Sequence, residues 1–217
     1  MRLDIFSDVI CPWCFIGKRR LERALAARPL PDLTAHWRAF QLNPDMPAEG
    51  MDRQHYIEAK FGDKGRAEEI YERVTAAGRG DGIAFAFDKI RRTPNTVQAH
   101  RLIRLASREG GQDAMVERLF LGYFLEGADL SSDKTLAMLA AEAGLGRNDV
   151  ASYLRGAEDR TEVEADSQLA YRAGISGVPC FVVDGKFALA GAQEPEAFGP
   201  LFDAARADGE SVRAASD

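Results

Sequence analysis

The chain has 217 residues, of which 46% are hydrophobic and 29% charged, a composition typical of a folded globular protein and not of a disordered one. Its formal net charge is −6, and its one short basic run, KRR at 18–20, is predicted to be a solvated helix face. No apolar run approaches the ~20 residues of a membrane span. We therefore expect neither a nucleic acid nor a membrane as partner.

The first part of the chain predicts a β-α-β unit. Residues 2–7 (RLDIFS) and 33–42 (LTAHWRAFQL) have the composition of strands. Between them, apolar residues recur at helical spacing from Pro12 until Pro29 and Pro31 end the helix. Such a unit favours parallel strands joined by a right-handed crossover.

A long, mostly helical section follows the break at 43–52, which contains two prolines and a glycine. One helix is predicted within 93–111, with Thr93 as its cap, Pro94 in its first position and Gly110 at its end. Residues 82–90 are ambiguous between a strand and an irregular connection. The other predicted helices lie at 52–62, 64–78, 112–126, 132–144, 147–155 and 159–173.

The last part of the chain predicts β-β-α. Residues 177–193 contain two short strands joined at Asp184-Gly185, a strong signal for a hairpin. A final amphipathic helix is predicted at 194–207, followed by a frayed tail at 208–217. Because a lone hairpin is only marginally stable in water, it should join the first two strands in one sheet, with the helical section as an insertion.

The main chemical signal is the stretch CPWC at residues 11–14. With Cys11 at the start of a helix and Pro12 in the first helical position, the positive end of the helix dipole favours a thiolate at Cys11. Cys14 lies one turn inward, close enough to form a disulfide. The pair predicts reversible redox chemistry in which Cys11 attacks and Cys14 resolves, while Trp13 offers an apolar face to the substrate.

The CxxC stretch has two other interpretations, a structural zinc site and a pair of inert thiols. A structural zinc site takes four ligands, but the chain adds only Cys180 and three scattered histidines, so no metal is expected. A pair of inert buried thiols is the other alternative. The N-terminus has no extended apolar segment of a signal peptide, so we expect a cytoplasmic protein, where a CxxC favours catalysis over a permanent crosslink.

The second half of the site is predicted at Val178-Pro179, where a proline opens a strand. A cis bond there would suit the chemistry, because the backbone of Val178 could then face outward and pair with an extended substrate. The alternative is an ordinary proline on an edge strand.

Together these features resemble the DsbA family of the thioredoxin superfamily, in the FrnE-like branch grouped with 2-hydroxychromene-2-carboxylate isomerases. The resemblance covers roughly residues 1–205. It implies an α/β, thioredoxin-like fold with a four-stranded mixed sheet, formed by 1–43 and 160–217, and an all-helical insertion domain at 44–159. It also implies a cis Val178–Pro179 bond packed against Cys11. The matching segments are DVICPWCFIGKRRLE, FQLNPDMP, PNTVQAHRLI and GISGVPCFVVDGKFALAGAQ.

The resemblance implies a thiol–disulfide oxidoreductase that acts on a thiol or disulfide substrate and needs no cofactor beyond its own cysteines. The isomerases and the kappa-class glutathione transferases look to have serine at the position of Cys11, so the presence of both cysteines favours disulfide exchange. A glutathione-dependent isomerase or transferase, with glutathione as co-substrate, is the alternative. A chaperone-like binding module is a further one, and a homodimer is left open.

Four more residues are candidates for the site. Asp8 is a candidate for assisting proton transfer from Cys14, or for ordering the loop. His100 lies near the start of a helix that could face the site, and the alternative is an ordinary packing or surface histidine. Gln193 follows the last strand, where it could contact a small thiol ligand, and the alternative is the usual polarity of a loop. Cys180 is expected to be a buried packing residue, because strand alternation turns it away from the face that Pro179 shows to Cys11.

Overall fold

The computed structural model describes residues 1–62 and 64–214. The predicted β-α-β unit is confirmed, with strand β1 at Arg2–Ser7, helix α1 at Pro12–Ala27 and strand β2 at Thr34–Ala39. The two strands are parallel, with Arg2 opposite Thr34 and Ser7 opposite Ala39. The carboxyl ends of both strands therefore lie at the edge of the sheet where α1 begins.

The predicted C-terminal hairpin is also confirmed, as β5 (Cys180–Val183) and β6 (Phe187–Ala190). Its turn has φ of 49° at Asp184 and 70° at Gly185, a left-handed pair that the Asp-Gly sequence accommodates. Strand β5 is antiparallel to β1, which gives one mixed sheet of order β2-β1-β5-β6. The hairpin thus completes the four-stranded sheet of a thioredoxin-like fold.

Most of the remaining chain is helical, as predicted, and residues 82–90 form an irregular connection with one short 3-10 helix, Phe87–Lys89. A π-helical turn, Gly122–Glu126, extends the fifth helix, and a short 3-10 helix, Pro195–Ala197, precedes the last. None of the described helices is long and apolar enough to span a membrane. The helices after α1 are α2 (Arg53–Phe61), α3 (Lys64–Gly80), α4 (Val97–Ser107), α5 (Gln112–Leu121), α6 (Asp133–Glu142), α7 (Arg147–Arg155), α8 (Arg160–Arg172) and α9 (Phe198–Ala214). The domain boundaries at 43/44 and 159/160 stay a prediction.

The predicted start of α4 is wrong. Thr93 does not cap this helix, and Pro94 is not in its first turn, because Arg92–Thr93 forms a short strand, β4, that pairs with β3 (Met51–Asp52). The helix begins at Val97, whose N–H donates to the Asn95 carboxamide oxygen over 3.0 Å. The turn at Asn95 therefore competes successfully with the local cap signal at Thr93.

The predicted frayed tail is wrong over residues 208–214, because α9 continues to Ala214. Lys186 in the β5–β6 turn donates to the Asp208 carboxylate over 2.7 Å and ties this part of the helix to the sheet. Residues 215–217 lie outside the described part of the chain.

The basic run at 18–20 is not a solvated helix face. The Lys18 side chain is buried, and its ammonium group contacts the carboxylates of Asp113 at 3.1 Å and Glu117 at 3.2 Å in α5. Arg20 reaches the Asp81 carboxylate, just after α3, over 2.8 Å. These cations look like a surface run in the sequence, but they face acidic partners contributed by the inserted helices.

Apolar packing joins the same two parts of the molecule. The ring of Phe15, in α1, stacks on Phe120 with 5.1 Å between centroids and on Phe124 at 6.2 Å, and it meets the edge of Phe85 at 6.1 Å. All three partners belong to the section between β2 and β5. The helix that begins with the CPWC stretch therefore has its core contacts in both the sheet and the inserted helices.

Arg101 is the largest fully buried side chain in the described residues, and it joins α4 to the end of α7. Its guanidinium donates to the carbonyl oxygens of Tyr153 at 2.8 Å, Leu154 at 3.3 Å and Glu158 at 2.6 Å. The last carbonyls of a helix have no partners within it and carry a partial negative charge. Arg101 therefore satisfies the C-terminus of α7 inside the protein.

We expect Arg101→Met to lower the free energy of unfolding by about 3 kcal/mol, because it removes hydrogen bonds from a buried, charged donor to three carbonyl oxygens and leaves that of Glu158 without a donor. Urea denaturation of the purified variant measures this change. The matched control is Arg160→Met, on the exposed start of α8, which should change stability by less than about 0.5 kcal/mol. Equal effects of the two variants would contradict the assignment of Arg101 as a structural cap.

Candidate active site

The site is built around the first turn of α1. Cys11 is the N-cap, with extended backbone angles of φ −91° and ψ 111°, and Pro12 follows in the first turn. The Cys11 carbonyl accepts from the N–H of Cys14 over 3.0 Å, and the Cys11 N–H donates to the carbonyl of Asp8 over 3.0 Å. This is the predicted placement, with the sulfur of Cys11 at the positive end of the helix.

The loop before β5 closes the site from the other side. The Val178–Pro179 peptide bond is cis, as the family resemblance implied. The Cys11 thiol donates to the Val178 carbonyl oxygen, with 3.5 Å between the two atoms. The structure thus brings Val178 and Pro179, far along the chain, into contact with the CPWC stretch.

The two cysteines of the pair are free thiols in different surroundings. The Cys11 side chain is 5% exposed and that of Cys14 is 1% exposed, while Trp13 between them is 37% exposed. Burial, followed by the hydrogen bond and charge of Cys11, raises the pKa of the Cys14 thiol well above its usual range, and hydrogen bonds from the Ser7 side chain and the Asp8 backbone only partly oppose this. Cys14 is therefore a protonated, inaccessible thiol at neutral pH, and Cys11 is the one nearer to solvent.

Cys180 belongs to a different part of the core. It packs with Phe6, Phe40 and Ala170, in a cluster separate from the one that contains Cys11 and Cys14. Burial raises the pKa of the Cys180 thiol. This placement agrees with a packing residue, and an auxiliary redox role for Cys180 stays a prediction.

No group of three or more His, Cys, Asp or Glu side chains in the described residues could hold a metal ion.

Asp8 and His100 meet beside the Cys11 loop. Asp8 is 0% exposed, and one of its carboxylate oxygens accepts from the N–H of Leu42 over 2.8 Å. Its other oxygen lies 3.5 Å from Nε2 of His100, which is 3% exposed. Helix α4 therefore does bring His100 to the site, as the sequence suggested, but the side chain lies in the interior and not on the surface that a substrate reaches.

Gln193 lies in the loop after β6, which is bound to the cis-proline loop. The N–H of Gly191 donates to the Pro179 carbonyl over 2.8 Å, and Gly191 has φ of 80°. The Gln193 side chain is exposed and donates to the Ala190 carbonyl over 2.9 Å. Its amide oxygen faces no partner among the described residues, so contact of Gln193 with a ligand stays a prediction.

Gly17 and Ser7 are site residues that the sequence analysis missed. A Cβ on Gly17 would stand 2.8 Å from Cγ of Pro179 and 3.2 Å from the ring of Phe181, so only glycine lets α1 approach the cis-proline loop this closely. The signal was present, because a glycine inside a helical pattern often marks such an approach. Ser7 carried no comparable signal, since it reads only as the end of a strand.

Comparison with known proteins agrees with this geometry. A model of the family described as DSBA-like thioredoxin domain matches residues 2–201. The chain belongs to this family. A crystal structure of a probable DsbA oxidoreductase from Streptomyces coelicolor is 32% identical, with a TM-score of 0.87 over 95% of this chain and 90% of that one. The recognition of a DsbA-family protein from the sequence is thus confirmed.

Two more distant solved structures share the fold over almost the whole length. A 2-hydroxychromene-2-carboxylate isomerase is 16% identical, with a TM-score of 0.66 over 100% of this chain and 98% of that one. The cytosolic disulfide reductase DsbM from Pseudomonas aeruginosa, solved with GSH, is 18% identical, with a TM-score of 0.65 over 98% of both chains. Both the redox and the isomerase groups named by the resemblance therefore have this architecture.

We expect Gly17→Ala to displace the cis-proline loop and to lower both activity and stability, the latter by about 1–3 kcal/mol, as overpacking does. Disulfide exchange and urea denaturation measure the two effects. The matched control is Gly209→Ala in α9, where nothing lies within 4 Å of an added Cβ. That variant should be neutral or slightly stabilising, because alanine favours a helix more than glycine does. Equal behaviour of the two alanines would contradict the close approach.

We expect iodoacetamide at neutral pH to modify Cys11 first in the reduced native protein. The thiolate is the reactive form, and the raised pKa values of Cys14 and Cys180 keep both as thiols until the pH is well above neutral. Peptide mapping by mass spectrometry gives the rate at each cysteine, and the difference should vanish in concentrated guanidinium chloride. Native Cys14 or Cys180 reacting as fast as Cys11 would contradict the expectation.

Proposed function

We propose that the protein is a thiol–disulfide oxidoreductase whose redox pair is Cys11 and Cys14. The observation that carries the proposal is the position of the Cys11 sulfur, which lies at the start of α1 and 3.5 Å from the Val178 carbonyl of the cis-proline loop. The buried thiol of Cys14 follows one turn later. Membership of the DSBA-like thioredoxin domain family supports the same reaction class.

The proposed reaction has two exchange steps. The Cys11 thiolate attacks one sulfur of a substrate disulfide, forms a mixed disulfide and releases the other substrate sulfur as a thiolate. The Cys14 sulfur then attacks Cys11, and the second substrate thiolate leaves as the Cys11–Cys14 disulfide forms. Two electrons pass from the protein to the substrate. The same steps run backward when the oxidised pair takes two electrons from a substrate dithiol, so no cofactor beyond the cysteines is needed.

The surface beside Cys11 supports binding of an extended substrate. Trp13 presents an apolar ring that is 37% exposed, and Pro12 adjoins the nucleophile. The backbone of Val178 and Pro179 lies on the other side of the sulfur. We assign these four residues to substrate contact, with the chain of the substrate crossing the cis-proline loop.

Glutathione is the thiol that we assign as co-substrate, because a fold neighbour, the disulfide reductase DsbM, was solved with GSH. That protein is also described as cytosolic, which supports the cytoplasm as the compartment of this one.

A second candidate function is a glutathione-dependent isomerase or transferase, supported by the shared architecture of the 2-hydroxychromene-2-carboxylate isomerase. The presence of both Cys11 and Cys14 favours the redox function, since only exchange chemistry uses the second thiol.

We expect Cys14→Ser to reduce turnover of a small peptide disulfide, with glutathione as the reductant, by about 100-fold or more, and to accumulate a mixed disulfide on Cys11 when glutathione is left out, because the resolving thiol is gone. Steady-state kinetics measure the first effect, and mass spectrometry of the intact protein measures the adduct. Cys11→Ser should lose both turnover and adduct.

Cys180→Ala is the matched control, since it removes a thiol without touching the pair, and it should keep near-normal turnover. An isomerase would be nearly indifferent to Cys14→Ser, and a chaperone-like module would keep its binding of unfolded chains in all three variants. Either result, with no adduct on Cys11, would contradict the proposed redox function.

A further inference from the structure

The reaction proposed above leaves a proton to be moved at Cys14. This thiol must lose its proton when its sulfur attacks Cys11, and in the reverse direction it must regain one. Yet the Cys14 side chain is 1% exposed, so bulk water does not reach it. The resolving step therefore needs a group inside the protein that accepts the proton.

One polar group beside Cys14 is the hydroxyl of Ser7, at the end of β1, which opposes the rise that burial causes in the pKa of this thiol. Ser7 also lines a small cavity, and His100 lines the same cavity. The space available to the centre of a water molecule there is about 10 Å³, which is enough for one molecule. Ser7 thus lies beside Cys14 and also lines a cavity that His100 shares.

His100 itself has an unusual environment for a buried side chain. Its Nε2 atom and the nearest oxygen of Asp8 are 3.5 Å apart, and both atoms are buried without a hydrogen-bond partner among the described residues. Buried polar atoms are normally paired, so an unpaired imidazole nitrogen facing an unpaired carboxylate oxygen calls for a reason. A transient positive charge on His100 would explain this arrangement, because the Asp8 carboxylate would then stabilise the imidazolium.

The other charged groups around His100 come from β2, from α4 and from α8. Arg38 and Arg104 line the same cavity, and both lie close to the Asp166 carboxylate, at 2.6 Å and 3.5 Å. Asp166 also interacts electrostatically with His100. Arg38 also lies 4.0 Å from the Asp4 carboxylate, and Arg104 lies 3.4 Å from that of Asp159, so both cations near His100 are paired with carboxylates.

We propose that His100 accepts the proton of Cys14 through the Ser7 hydroxyl and one water molecule in the cavity, with Asp8 holding the imidazole. As the Cys14 sulfur bonds to Cys11, the bond between Cys11 and the substrate sulfur breaks and the substrate leaves as a thiolate. The Cys14 proton passes to His100 and from there to solvent past Arg38 and Arg104. In the reverse direction His100 returns a proton to the departing Cys14 sulfur. This inference rests on the proposed redox function.

A two-phase reaction separates the attack by Cys11 from the resolution by Cys14. The fully reduced protein is mixed with one equivalent of dithiobis(nitrobenzoic acid) in a stopped-flow spectrometer. Attack by Cys11 releases the first coloured thiolate, and resolution by Cys14 releases the second. In His100→Gln the first phase should stay within about two-fold of the wild type, and the second should slow by about 100-fold at neutral pH, as the loss of a proton-transfer group does. The slowed phase should then accelerate about ten-fold per pH unit, because hydroxide takes over the proton.

Two further variants keep the test decisive. Ser7→Ala removes one oxygen atom from the route and should slow the second phase with the same pH dependence, even if His100→Gln folds poorly. His55→Gln, on the exposed surface of α2, is the matched control and should change neither phase. A second phase of normal rate in both His100→Gln and Ser7→Ala overturns the proposal, and so does equal slowing of the two phases. A wild-type protein with no second phase would instead refute the redox function itself.

Discussion

The site depends on one contact, the approach of helix α1 to the loop that carries the cis-proline. This contact follows from the register of the sheet. Strand β1 leads into Cys11, Pro179 leads into β5, and the antiparallel pairing of Phe6 with Cys180 places both connections at the same end. Gly17 then lets the helix lie directly against Pro179. A shift of β5 by one residue would turn its side chains to the other face and would part the nucleophile from the loop.

The elements that could be predicted from the sequence are those whose start or end is set by the backbone preference of a residue within them. Pro12 fixes the start of α1 because its missing N–H costs nothing there, so the position of Cys11 followed directly. Asp184-Gly185 fixes the final turn because these residues tolerate left-handed backbone angles. Strands and helices near such signals were predicted nearly residue by residue, and the family resemblance supplied the cis bond at Pro179.

What could not be predicted depends on contacts between distant parts of the chain. Thr93 has the pattern of a helix cap, but its backbone pairs with Met51, a partner that no local signal announces. Lys18 and its neighbours look like a solvated face until the acidic residues of α5 are in place. The meeting of Asp8 with His100, and of Ser7 with the same cavity, arises only when α4 packs over the end of β1. Periodicity within one segment carries no information about such pairs.

The burial of Lys18 and Phe15 has a consequence for how this architecture can be shortened. Excising the inserted helices would remove Asp113 and Glu117 from the ammonium group of Lys18. It would also expose the ring of Phe15, which now stacks on Phe120. A minimal version reduced to the sheet and its flanking helices would therefore carry a cation with only Glu22 of α1 beside it, and an aromatic patch, on the helix that presents the reactive sulfur. The inserted section is a structural partner of that helix, and not an appendage that protein engineers could trim away.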